Sequence, residues 1–216
     1  GLLDLLVGTS GNVILWWENT GTKTEAIFEY RGFLQADGTR LEVPEGPVPE
    51  DHAAIFKRDY YNQPWVGDWD GDGIPDLLTG GYVTGQIFFY RGAGRDPQGV
   101  LQLSYVGPLE ADGGVLDTIW AAAPAAGDVD GDGLPELISG AWWWSGIREK
   151  PAAGQDDYLY FYRYERGREG GLTRTPLPME GHFPRGQIAR PTLVDWDNDG
   201  LLDLLVSDGD GSVRVF

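Results

Sequence analysis

The chain has 216 residues, with 34 Asp and Glu against 16 Lys and Arg, for a formal net charge of −18. That excludes a nucleic-acid backbone as a direct partner, because phosphate contacts need Lys and Arg. No apolar run approaches the roughly 18–20 residues of a membrane helix, so membrane insertion is not expected. Hydrophobic residues at 41% and aromatics at 12% are too much core material for a disordered acidic tail. The absence of Cys removes disulfides, thiolate metal sites and a thiol nucleophile.

The 33 Gly and 14 Pro make the chain turn-rich, which predicts many short strands. Taken in order, those strands fall into a repeat. The chain opens on Gly1-Leu-Leu-Asp4-Leu-Leu-Val-Gly8, the second half of a motif that then recurs in full three times. The complete copies run from Asp68 to Asp76, from Asp128 to Glu136 and from Asp195 to Asp203, each followed by two apolar residues. A proline precedes each copy by four residues: Pro64, Pro124 and Pro191.

Each unit predicts four strands. The first enters the acidic loop at Trp65-Val66, Ala125-Ala126 and Leu193-Val194. The second leaves it at Leu77-Leu78, Leu137-Ile138 and Leu204 to Val206. The third is aromatic: Val13 to Trp17, Ile87 to Tyr90, Leu159 to Tyr162 and Val213 to Phe216. A weaker fourth strand ends near Leu34 to Gly38 and Leu109 to Gly113, with a divergent Leu177 to Gly181 in the third unit. Four short strands at a period of about 40–70 residues predict an all-β fold, a β-propeller of four-stranded antiparallel blades. The units fall at approximately 1–62, 63–122, 123–189 and 190–216, one incomplete propeller of about three and a half blades. Rings have about 4–8 blades, so the remainder of a longer chain, or a second copy, is expected to close this one.

The acidic loops carry the chemistry. Carboxylates at positions one, three, five and nine of a tight loop can converge on one hard cation, and calcium takes 6–8 oxygen ligands. The candidate ligands are Asp68, Asp70, Asp72 and Asp76; Asp128, Asp130, Asp132 and Glu136; and Asp195, Asp197, Asp199 and Asp203. Position seven adds the backbone carbonyls of Ile74, Leu134 and Leu201. Gly73, Gly133 and Gly200 sit where the loop turns sharply. An EF-hand is excluded, because its twelfth-position Glu is replaced by Thr79, Ser139 and Val206. Zinc lacks His or Cys here, and magnesium demands tighter octahedral geometry. Plain Asp-Gly turns would leave four like charges within nine residues uncompensated. The longer Glu136 sets the second loop apart as the least regular of three predicted Ca²⁺ sites.

These motifs resemble the FG-GAP or VCBS repeats of bacterial secreted and cell-surface β-propellers. They are also similar to the calcium loops of integrin α-subunit heads. The resemblance implies calcium in the loops between first and second strands, and an extracellular location, secreted or at the cell surface. It implies adhesion, carbohydrate binding or an enzyme-associated role, without choosing among them.

In a four-stranded meander the calcium loops occupy one face, and the long connections fall on the other. The insertions are expected from about Thr39 to Gln63 and from about Trp142 to Asp157. The candidate ligand face therefore gathers His52, Lys57, Arg58, Tyr60, Tyr61, Trp120, Trp142, Trp143, Trp144, Arg148, His182 and Arg185. Its aromatics suit stacking on sugars or anchoring a protein partner. No Ser-His-Asp arrangement, HExxH, P-loop or GxSxG signature occurs, so no catalytic residue is assigned. The leading expectation is a noncatalytic, calcium-stabilised module for extracellular binding or adhesion, with a protein or carbohydrate ligand. The alternatives are a polysaccharide lyase or hydrolase domain that uses the basic face, and a structural spacer.

Overall fold

The structure is a computed structural model that describes residues 1–46, 48, 50, 62–97, 99–118, 121–142, 159–166, 171–177, 190–207 and 211–216. It is all-β, with no helix among the described residues. Three strands form the first sheet: β1 (Leu5–Gly8), β2 (Ile14–Asn19) and β3 (Phe28–Phe33). A short hairpin follows, β4 (Gln35–Ala36) with β5 (Thr39–Arg40). The second sheet is the four-strand meander β6 (Gln63–Gly67), β7 (Asp76–Gly80), β8 (Ile87–Arg95) and β9 (Leu101–Pro108). A second hairpin pairs β10 (Glu110–Ala111) with β11 (Gly114–Val115).

The third meander is β12 (Ala123–Gly127), β13 (Glu136–Trp142), β14 (Leu159–Arg166) and β15 (Leu172–Pro176). The last sheet is β16 (Arg190–Val194), β17 (Asp203–Ser207) and β18 (Val213–Val215). Within the sheets every meander pairing is antiparallel, and the predicted entering, leaving and aromatic strands lie where the repeat puts them. Pro64, Pro124 and Pro191 sit in β6, β12 and β16, each of which pairs on one side only. An edge strand tolerates a residue with no N–H to donate.

The core lies between consecutive sheets. Ile14, Leu34 and Leu41 pack with Leu77, Phe88 and Tyr90. Leu78, Ile87 and Phe89 pack with Ala122, Leu137 and Tyr164. Ile138 closes against Leu204 and Val206. Two glycines allow the close approach. A Cβ on Gly8 would lie 1.9 Å from the Asn62 carbonyl oxygen, and one on Gly80 would lie 2.0 Å from that of Ala122.

The Leu-x-Ala-Asp-Gly segments differ from the sequence expectation. They are separate hairpins rather than the ends of the fourth strands. Asp37 and Asp112 take left-handed backbone with φ of 51° and 53°, followed by Gly38 and Gly113 at 73° and 82°. That pair of positive values is what a two-residue hairpin turn requires. Each hairpin reaches the next sheet's outermost strand: Asp37 N–H donates to Leu103 O at 2.8 Å, and Asp112 N–H to Leu172 O at 2.9 Å. The hairpins thus strap each sheet to its successor, and β10 adds a parallel bridge to β15.

Candidate metal centres

The three complete loops connect β6 to β7, β12 to β13 and β16 to β17, the same turn each time. Their backbones follow one plan. In the first, Asp68 accepts from the N–H groups of Gly71, Asp72 and Gly73 at 2.9–3.1 Å. In the second, Asp128 accepts from Gly131, Asp132 and Gly133 at 2.7–3.1 Å. In the third, Asp195 accepts from Asp199 and Gly200 at 3.0 and 3.1 Å. The first-position Asp therefore holds the turn in shape, and Gly73, Gly133 and Gly200 close it at φ of 86–92°.

The carboxylates converge. One oxygen each from Asp68, Asp70 and Asp76 lies within 4.8 Å of the others, and the same holds for Asp128, Asp130 and Glu136. In the third loop the converging trio is Asp195, Asp197 and Asp199. The fifth-position Asp72 and Asp132 instead accept from the N–H groups of Ile74 and Leu134, both at 2.8 Å. Asp203 accepts from Trp196 N–H at 2.8 Å.

The ninth-position acids of the first two loops are buried, whereas Asp203 is half-buried. Asp76 is fully enclosed, and Glu136 nearly so. Burial pushes both carboxyls above the usual range. Backbone donation opposes this, from Gly92, Trp69 and Asp70 to Asp76 and from Val129 to Glu136. Asp76 receives those three bonds at 2.7–3.2 Å.

Three arginines that the motif does not contain reach the loops. Arg91, on β8, donates through Nε to Asp70 Oδ2 at 2.6 Å. Arg163, on β14, places Nη2 2.5 Å from Asp130 Oδ2 and 3.7 Å from Glu136 Oε2. Arg166 crosses from the third sheet to the first loop. Its guanidinium lies 4.6 Å from the centre of the Trp69 ring, and Nη2 donates to Trp69 O at 2.7 Å. Burial lowers the Arg166 pKa, while Asp70 and Asp76 pull it back up. A sequence signal existed: Phe88-Phe89-Tyr90-Arg91 and Tyr160-Phe161-Tyr162-Arg163 align as aromatic runs ending in Arg. What the sequence hides is register. Tyr90 faces Leu77, whereas Tyr164 faces Leu137 and Arg163 faces Ile138.

The donor set fits a hard cation. It is all oxygen, and it includes Asp70 Oδ1, a buried carboxylate oxygen without a hydrogen-bond partner. A buried acceptor in that state is costly unless something positive meets it. Of the predicted ligand face, Trp142 is the last residue of β13. His52, Lys57, Arg58, Tyr60, Tyr61, Trp120, Trp143, Trp144, Arg148, His182 and Arg185 lie outside the described residues.

The class these features define is an all-β protein of stacked antiparallel meanders with a recurrent acidic turn. More particularly, residues 68–139 match the family model described as an FG-GAP-like repeat, a span that contains the first two complete loops. The chain thus carries an FG-GAP-like repeat. No curated protein matches it.

Proposed function

We propose that the chain is part of a calcium-stabilised β-propeller that serves as an extracellular module for binding or adhesion. The observation that carries the calcium reading is the convergence of three carboxylates in each of three equivalent turns, one with a buried oxygen left without a donor. Calcium is preferred because the donors are all oxygens and calcium accepts irregular oxygen shells, where magnesium demands near-ideal octahedral geometry. The converging carboxylates would hold the ion, joined by Asp72, Asp132 and Asp203 and by the carbonyls of Ile74, Leu134 and Leu201. The ion supplies positive charge that relieves carboxylate repulsion and fixes the turn.

The propeller reading is supported by sheets that pack face to face in chain order and by the FG-GAP-like match. Its repeats fall at about 1–62, 63–122, 123–189 and 190–216. Proteins with such repeats are typically extracellular, where calcium is plentiful; no helix among the described residues is long and apolar enough to cross a membrane. The ligand, protein or carbohydrate, would meet the face opposite the calcium turns, through Arg58, Tyr60, Trp143, Arg185 and their neighbours.

An array of glycans and extracellular proteins, probed with the chain in calcium, tests the binding role. A retained ligand whose signal falls in Arg58→Ala or Tyr60→Ala is the expected result. A retained ligand indifferent to these changes contradicts the assigned face, and no retained ligand contradicts the binding role.

A further inference from the structure

The three acidic turns share a motif, yet arginines reach them differently: Arg166 touches the first loop through the Trp69 carbonyl rather than through a carboxylate. Arg91 is half-exposed, with its side chain at 54%, and pairs with a single oxygen of the first loop, leaving Asp70 Oδ1 without a partner. In the third loop, Asp197 and Asp199 of the converging trio are exposed. The second loop has Arg163, whose side chain is 22% exposed and is set between three acids. Its Nη2 lies against Asp130 and Glu136, two of the converging trio, and its Nε lies 3.4 Å from Glu165.

We propose that the Arg163 guanidinium is the resident cation of the second acidic loop, so that a divalent ion enters only by displacing it and this loop binds calcium most weakly of the three. The proposal rests on the calcium reading above and concerns how this chain divides its affinity among its sites. The Arg163 side chain is mostly shielded and Glu136 beside it is 4% exposed, although Asp130 is half-exposed, so this arrangement is screened less than a fully exposed pair. A calcium ion takes its oxygens at about 2.3–2.6 Å. It would therefore stand within a few ångströms of the guanidinium, where like charges repel strongly at reduced dielectric. Strand pairing fixes the Arg163 backbone opposite Ile138, so only the side chain can move away. Glu165, exposed on the same strand, gives it somewhere to go.

The longer acid at position nine belongs to the same arrangement. Glu136 keeps one backbone bond, from Val129 N–H at 2.9 Å, with the same oxygen 3.7 Å from Arg163. Asp76, at the equivalent position, receives three backbone N–H bonds, and no ion pair reaches it among the described residues.

Calorimetric titration of the chelator-treated chain with calcium, at low salt, separates the possibilities. The wild type is expected to show a weaker site beside tighter ones. Arg163→Gln removes the charge while keeping a polar side chain and is expected to tighten the weakest site by about tenfold or more, leaving the others unchanged; Arg163→Lys is expected to keep it weak. An Arg163→Gln titration that matches wild type, or is weaker, overturns the proposal while leaving the calcium reading intact. No binding by wild type or variant overturns the calcium reading itself, and the proposal with it. Asp128→Asn gives an assignment that leaves Arg163 untouched. It should abolish the weakest site, and loss of a tight site instead contradicts the proposal.

Discussion

The strands after the first and third acidic loops have the same motif and opposite surroundings. After the first, all five residues of β7 are buried; after the third, β17 alternates between buried and half-buried. The second-position Trp69 is 2% exposed beneath the third sheet and Arg166, while its counterpart Trp196 is 62% exposed. Gly80 lies against the Ala122 backbone, while a serine, Ser207, stands at the equivalent position after the third loop. The motif specifies the turn. The neighbouring sheet decides whether the turn is enclosed. The second loop adds a further lesson, because there one arginine from the same sheet reaches two of the converging acids, Asp130 and Glu136.

The comparison can be broken most violently at Gly80. Gly80→Val places a Cβ where the Ala122 carbonyl oxygen already lies at 2.0 Å. A loss of at least ~3 kcal/mol in denaturant unfolding is expected, beyond ordinary overpacking. Gly114→Ala, at a position with nothing within 4 Å of an added Cβ, serves as the tolerant control. Both variants unfolding alike would mean that the sheets do not approach at Gly80.

A paired truncation sharpens the contrast between the tryptophans. Trp69→Ala is expected to cost about 3–5 kcal/mol, as core aromatics do. Trp196→Ala should stay within about 0.5 kcal/mol, as surface changes do. Equal costs would show that the Trp196 ring is covered as thoroughly as that of Trp69. A smaller effect, about 2 kcal/mol, is expected for Arg166→Ala, which removes the stacking on Trp69 and the bond to its carbonyl. Unchanged stability in that variant would detach the first loop from the third sheet.

Much of this was legible in the sequence, because the motif is local. Four carboxylates and a glycine within nine residues set the turn, and short apolar runs on either side set its strands. The prolines recur with the motif, but that their strands β6, β12 and β16 pair on one side only emerges from the structure. The hairpins at Asp37 and Asp112 were less legible. Their Asp-Gly signal is a turn signal, but their docking on Leu103 and Leu172 depends on residues more than fifty positions away. The arginines were hidden for a related reason. Two aligned aromatic runs end in Arg91 and Arg163, but the strands pair in different registers, so equal sequence positions reach their loops from different places.

The central claim is that the acidic turns bind calcium and that the fold depends on it. Its most direct test is the melting temperature of chelator-treated protein measured with and without added calcium. With free calcium about 100-fold above Kd, each occupied loop contributes roughly 2.7 kcal/mol, so a rise of at least ~5 °C is expected. An equal concentration of magnesium should give a smaller rise. A melting temperature that calcium leaves unchanged would contradict the account.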